Sequence, residues 1–315
     1  MTLYEEAAKI SLGGLEVYRF GFFVMLGMLG AAGVIGFLCW ARRVRRGTGP
    51  LLVLLCVLMG GICSRLAFCL MNQELGALMP PESWIRITGG GWSMMGLVGG
   101  VLLGAFAAAR ITRQKAGVTL DIAACALPVF MVLERLGEAC VEDFDYSRRL
   151  SSTFLNGTIL TFSDYDGYYL ATWKLTAMVM AVLFPILIRD LIRSKKDGDT
   201  CLLFLMLFGS CSIILESLRY DRFLSITFVG LQHVMAAVYL AVGVLICALQ
   251  AGKRWKILRT AALISLPLMV GLAVGLEFAL DRTTWNKLMV YVIYIAVAAA
   301  PAVMGIMLRR RKEIR

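Results

Sequence analysis

Arg135 and Glu138 stand three apart in "LERLGEACVEDF", with Glu142 four further on, so a helix carried that far would set all three on one face. Glu216 and Arg219 repeat the i, i+3 spacing of opposite charge in "ILESLRYD". Arg65 lies inside one apolar run, and Gln232 and His233 lie near the start of another. A guanidinium offers a fork of donors that fits phosphate, and a carboxylate shielded from water can serve as a base. Such a set could hold an anionic headgroup and move a proton. The stretch "GGGWSMMGLVGG", residues 89–100, adds bare backbone. Gly89, Gly90 and Gly91 precede an apolar run, where free N–H groups at a helix start make a seat for an anion. Gly96, Gly100 and Gly104 recur every four residues, which lets a neighbouring helix come close. A blander reading stands beside each of these. Charges within a turn of a helix end often snorkel to the interface and pair locally, and a lone histidine more often bridges two spans than catalyses.

The composition names the elements that must position these groups. Hydrophobic residues make up 59% of the chain and charged residues 17%, the balance of an integral membrane protein. Nine apolar runs, at roughly 18–41, 51–72, 92–109, 117–136, 168–188, 200–216, 223–248, 260–280 and 286–307, each approach the length a spanning helix needs. Alternating ten-residue strands are absent, which argues against a barrel. Lys and Arg cluster after the odd-numbered spans, as in "RRVRR" and "RDLIRSKK", whereas the other connections carry mostly Asp and Glu. That alternation predicts an N-terminus outside and a cytoplasmic C-terminus. The net charge of +11 is then largely inner-surface bias, and a nucleic-acid role is improbable. The first apolar run is too long, and its leading segment too poor in basic residues, for a secretory signal. Nine cysteines and one histidine show no metal-ligand spacing, so neither a metal, a cofactor nor a disulfide framework is expected.

On this topology Arg65, Glu134, Arg135, Glu138, Glu216, Arg219, Gln232 and His233 fall on the outer side, with Asp121 the exception near the cytoplasmic start of the fourth span. Intramembrane charge is costly, and its clustering at one depth predicts a polar chamber in the outer leaflet. A transport path would carry polar groups through the whole thickness, often with repeated halves. The cytoplasmic halves read as plain hydrocarbon, which makes a transporter the weakest reading.

Several segments, taken in order, resemble the prolipoprotein diacylglyceryl transferase family. "GGICSRLAF" is similar to the family's Gly-Ala/Gly-Arg-Leu/Ile-Gly-Tyr and puts Arg65 on its arginine. "GGWSMMGLVGG" resembles Gly-Gly-Met-Ser-Phe-His-Gly-Gly-Leu. "DIAACALPVFMVLERLGEACVEDF" resembles Asp, Pro, then Gly-Arg-Ile/Leu-Gly-Asn-Phe-x-Asn-x-Glu, placing Asp121, Pro128, Arg135 and Gly137 on family positions. "FGSCSIILESLRYD" resembles the sixth-span motif through Glu216 and Arg219. The likeness covers about residues 11–250.

The resemblance implies a core of seven helices with its N-terminus outside, over residues 1–250, including an extracytoplasmic cap at 137–167, and a C-terminal hairpin of two spans within 251–315. It implies transfer of a diacylglyceryl group from phosphatidylglycerol, or a related anionic lipid, to a lipobox cysteine at the outer face of a bacterial inner membrane. Its catalytic positions would be Arg135, Glu138, Asp143, Glu216 and Arg219, with Arg65, Gly90, Gly91, Ser93, Gly96 and Gln232 binding substrate. The departures are specific. The family's histidine falls on Met95, its sixth-span arginine on Ser212, its asparagine on Glu138 and its glutamate most nearly on Asp143. Glu138 could stand in as base, and Arg219 or Arg65 as second cation. The alternative is a catalytically impaired relative that binds a lipid or a membrane partner.

Overall fold

The computed structural model describes residues 9–12, 15–71, 84, 91–138, 155–164, 167–194, 196–219, 225–226, 229–283 and 285–311. Gly89, Gly90, Glu142, Asp143 and much of the expected cap over 137–167 lie outside the described residues. Among them, nine helices are long and apolar enough to cross a membrane. These are α1 (Arg19–Ala41), α2 (Thr48–Met71), α3 (Met94–Thr112), α4 (Ala116–Glu138), α5 (Thr172–Arg193), α6 (Asp199–Leu218), α7 (Leu231–Gln250), α8 (Lys256–Arg282) and α9 (Lys287–Arg311). The chain is an all-α polytopic membrane protein, as backbone hydrogen bonding in hydrocarbon requires of sequences without barrel patterning.

Among the described residues, three antiparallel strand pairs decorate the helix ends: β1 (Lys9–Leu12) with β2 (Leu15–Tyr18), β3 (Thr161–Asp164) with β4 (Gly167–Leu170), and β5 (Ser225–Ile226) with β6 (Val229–Gly230). Two of them shorten expected spans. The fifth begins at Thr172 rather than 168, and the seventh at Leu231 rather than 223. Hydropathy alone reads "GYYL" and "SITFVG" as the start of a span, but Gly167–Leu170 pairs as a strand with β3, and Ser225–Ile226 pairs with Val229–Gly230.

Consecutive helices do not always become partners. α3 packs chiefly on α2, and α1 chiefly on α4. Small residues make both approaches possible. A Cβ added at Gly96 would come within 2.5 Å of the Cys63 carbonyl oxygen, and Gly100 and Gly104 are pressed in the same way on Met59 and Leu55. On the other pair, a Cβ at Gly137 would lie 2.7 Å from Phe23 Cβ, and one at Gly27 would lie 3.1 Å from the Phe130 carbonyl oxygen. Without lipid exclusion to drive them together, spans associate by such close packing. The two tight pairs leave a wedge of space between them.

The last two helices are tethered to this core by polar contacts. Ser210 Oγ donates to the Ala298 carbonyl at 2.9 Å, and Tyr291 Oη to the Ser217 carbonyl at 3.2 Å, joining α9 to α6. His233 Nε2 on α7 lies 3.4 Å from Glu277 Oε1 on α8, a position between spans.

At the end of the bundle that the charge pattern places in the cytoplasm, buried polar groups converge. Asp121 of α4 accepts the Gly198 N–H at 2.7 Å and the Cys201 N–H at 2.8 Å. It caps α6, whose own N-cap, Gly198, has φ +94° and no side chain to do so. Arg309 of α9 pairs with Asp190 Oδ1 and donates to the Asp199 carbonyl at 3.1 Å, while Thr200 Oγ1 donates to Asp190 Oδ2 at 2.9 Å. Apart from Asp121, these polar residues lie at or beyond the ends of the expected spans, and which of them meet is decided by how the helix ends are brought together.

Candidate functional site

The wedge between α1–α4 and α2–α3 is a cavity of about 440 Å³. Its walls are apolar, with Ile35, Val53 and Leu127 among the residues deep inside. Met28 and Val57, also on its walls, are 41% and 44% exposed, so the cleft opens sideways between α1 and α2 toward the surrounding hydrocarbon. Toward the end assigned to the outside, the wall changes character at Ser64, Trp92 and Glu134. Residues 123, 127, 130 and 134 follow helical spacing along α4, which is why one carboxylate tops an otherwise apolar stripe.

Glu134 stands next to Arg135, and the two side chains meet incompletely. Arg135 Nε is 3.4 Å from Glu134 Oε2, yet both atoms are buried and neither makes a hydrogen bond. One of the two terminal nitrogens of the Arg135 fork is engaged. Nη1 donates to Glu138 Oε2 at 2.6 Å, and Arg219 Nη2 donates to Glu138 Oε1 at 2.8 Å. One carboxylate therefore bridges two guanidinium groups, one on its own helix and one on a residue 81 positions away in sequence. Arg135 is 6% exposed, and burial of this kind is tolerable only with such pairing.

Arg219 had been expected to face Glu216 along one helix. It is the C-cap of α6, with extended backbone at φ −84° and ψ 153°, which turns its side chain off the i, i+3 face and across to α4. Glu216 instead joins α7. In the amide orientation that satisfies both groups, Gln232 donates to its two oxygens at 2.7 and 3.1 Å.

The remaining expected positions form a separate joint between α2 and α3. Arg65 Nη1 donates to the Gly91 carbonyl at 2.7 Å, with its guanidinium 5.5 Å from the Phe68 ring and 5.9 Å from that of Trp92. Gly91 has φ +80°, and a side chain there would run into Phe68. Ser93 Oγ accepts the Gly96 N–H at 3.2 Å and caps α3, while Ser64 Oγ donates to the Ser93 carbonyl at 2.9 Å. Gly96 itself is pressed against α2. Met95, at the family's histidine position, is 2% exposed, and its carbonyl accepts Tyr239 Oη at 2.5 Å. Ser212, at the arginine position, is buried within α6.

The structure thus brings together Arg135, Glu138 and Arg219, pairs Glu216 with Gln232, and sets Arg65 on Gly91. Glu134 was noted among the outer charges but not among the site residues. Its position was legible only as one face of a helix; that this face would border a cavity was not.

The chain is an all-α membrane protein with a laterally open apolar cleft topped by a carboxylate whose chain neighbour is a buried arginine. The chain belongs to the prolipoprotein diacylglyceryl transferase family, whose model matches residues 7–277. The match runs into α8, beyond the seven spans that the motifs cover. A comparison with curated proteins returned no match. The family carries out transferase chemistry of lipoprotein biosynthesis on lipid and lipoprotein substrates in the membrane.

Proposed function

We propose that the protein moves a diacylglyceryl group from phosphatidylglycerol, or a related anionic lipid, to a lipobox cysteine at the outer leaflet of a bacterial inner membrane. The cleft that ends at Glu134, the chain neighbour of Arg135, carries this reading. Acyl chains entering between α1 and α2 would lie along its apolar wall, which leaves the glyceryl ester beside the arginine. Arg135 would then hold the phosphate and stabilise the charge that develops as glycerol phosphate departs. Arg219 is the second cation, linked to the first through Glu138. For the phosphate to take either fork, Glu138 must give up part of its bridge, so the headgroup and this carboxylate compete for the same donors.

That competition, together with Met95 and Ser212 at the positions of a family base and cation, favours a second reading: a relative that keeps the lipid and transfers it poorly or not at all. One experiment separates the two. The purified chain in phosphatidylglycerol nanodiscs is incubated with a lipobox peptide, and the peptide is weighed by mass spectrometry. A diacylglyceryl thioether supports transfer, whereas bound lipid with unmodified peptide supports the second reading.

A further inference from the structure

If the chain is a transferase, a thiol must lose its proton, and the side chain at the usual base position is a thioether. The family motif has glycine immediately before its arginine; here Glu134 fills that place. Three observations bear on what this carboxylate does. It lies on the wall of the cleft, its side chain is 17% exposed, and its Oε2 is buried without a hydrogen bond. The nearest donor, Arg135 Nε, is also without one, 3.4 Å away. The two buried groups, one accepting and one donating, form an ion pair at a separation longer than a good hydrogen bond, and buried polar atoms left without a hydrogen bond are costly. A guest that brings both a proton to give and an oxygen to receive one would complete them.

We propose that Glu134 is the catalytic base, taking the proton of the lipobox thiol while Arg135 Nε–H donates to an oxygen of the lipid phosphate. Glu138, with both oxygens committed to arginines, is the bridge and not the base. In the step, the thiol proton passes to the Glu134 carboxylate and the sulfur lone pair forms the S–C bond to the terminal glyceryl carbon. The C–O bond to phosphate breaks, and its electron pair leaves with glycerol phosphate. The proton held by Glu134 goes to that leaving group or to water, which restores the carboxylate.

This inference rests on the transferase reading, and the test keeps the two apart. Wild-type, Glu134→Gln and Glu134→Asp chains are compared in phosphatidylglycerol nanodiscs with a lipobox peptide and with its selenocysteine counterpart, whose selenol is already ionised at neutral pH. Bound lipid is measured in each. Glu134→Gln is expected to lose about 100-fold in rate with the cysteine peptide, to keep its bound lipid, and to recover most of that loss with selenocysteine. Glu134→Asp, which retains a shorter carboxylate, is expected to fall between and keeps the test open if the glutamine variant does not fold. A wild-type chain that makes no thioether overturns the transferase reading and this one together. Thioether from the wild type with an unimpaired Glu134→Gln, or a loss as large with selenocysteine as with cysteine, overturns the assignment of the base alone.

Discussion

The two ends of the α4 helix make an instructive pair. Near its start, Asp121 has each carboxylate oxygen on a backbone N–H of α6, and nearby Asp190 is held by Arg309 and Thr200. Near its end, Glu134, on the wall of a cleft, and its neighbour Arg135 each bury an atom without a hydrogen bond. The same residue types serve opposite purposes. A carboxylate whose lone pairs are filled from within fixes helices to one another, and one left open beside a cavity is poised for something that is not part of the chain. Charge content alone does not distinguish them.

The comparison breaks if the two ends respond alike to substitution. Arg135→Ala should lower thioether formation by on the order of 10²–10³-fold, since it removes the donor fork that would stabilise the departing phosphate; single-turnover mass spectrometry in lipid nanodiscs reads this. A loss of activity no larger than the loss of folded protein would reduce Arg135 to a staple like Asp121. Arg309→Ala should do the reverse. It leaves the half-buried Asp190 carboxylate with Thr200 in place of its cation, so stability in mixed micelles should drop by about 2 kcal/mol, with the rate per folded molecule unchanged.

Smaller effects sharpen the contrast. Gly61 borders the cleft and has no atom within 4 Å of where a Cβ would sit. Gly61→Leu should therefore fill the space at no packing cost, weaken phosphatidylglycerol binding by about tenfold and leave stability equal or raised by up to about 1 kcal/mol, as replacing a helical glycine does. Tight lipid binding by this variant would show that the acyl chains lie elsewhere. Asp121→Asn keeps one acceptor and turns the other into a donor facing a donor. A stability loss of about 1 kcal/mol, with lipid binding intact, is the expected readout in the same unfolding assay.

Much of the scaffold could be read before any coordinates. Hydropathy located the nine spanning helices found among the described residues because spanning a bilayer is a demand on each segment separately. It erred where strands met spans, at residues 168–170, 225–226 and 229–230, because aromatic and β-branched residues raise hydropathy whichever backbone they adopt. The glycine spacing at Gly96, Gly100 and Gly104 correctly announced a close helix contact, though nothing in it named α2 as the partner.

The site was legible as an inventory and not as an arrangement. Arg135, Glu138, Glu216 and Arg219 were visible as costly residues at one depth. Their expected local pairing failed for Arg219, because a residue that ends a helix no longer obeys helical spacing. Sequence by itself determined what each segment must be: a helix of spanning length, a charged end, a face on which certain residues stand together. Only the tertiary structure decided which faces meet, joining Glu138 to an arginine 81 residues away, closing Asp121 onto the start of α6, and leaving Glu134 at an open cleft. Periodicity is a property of one helix, whereas a cavity exists only between several.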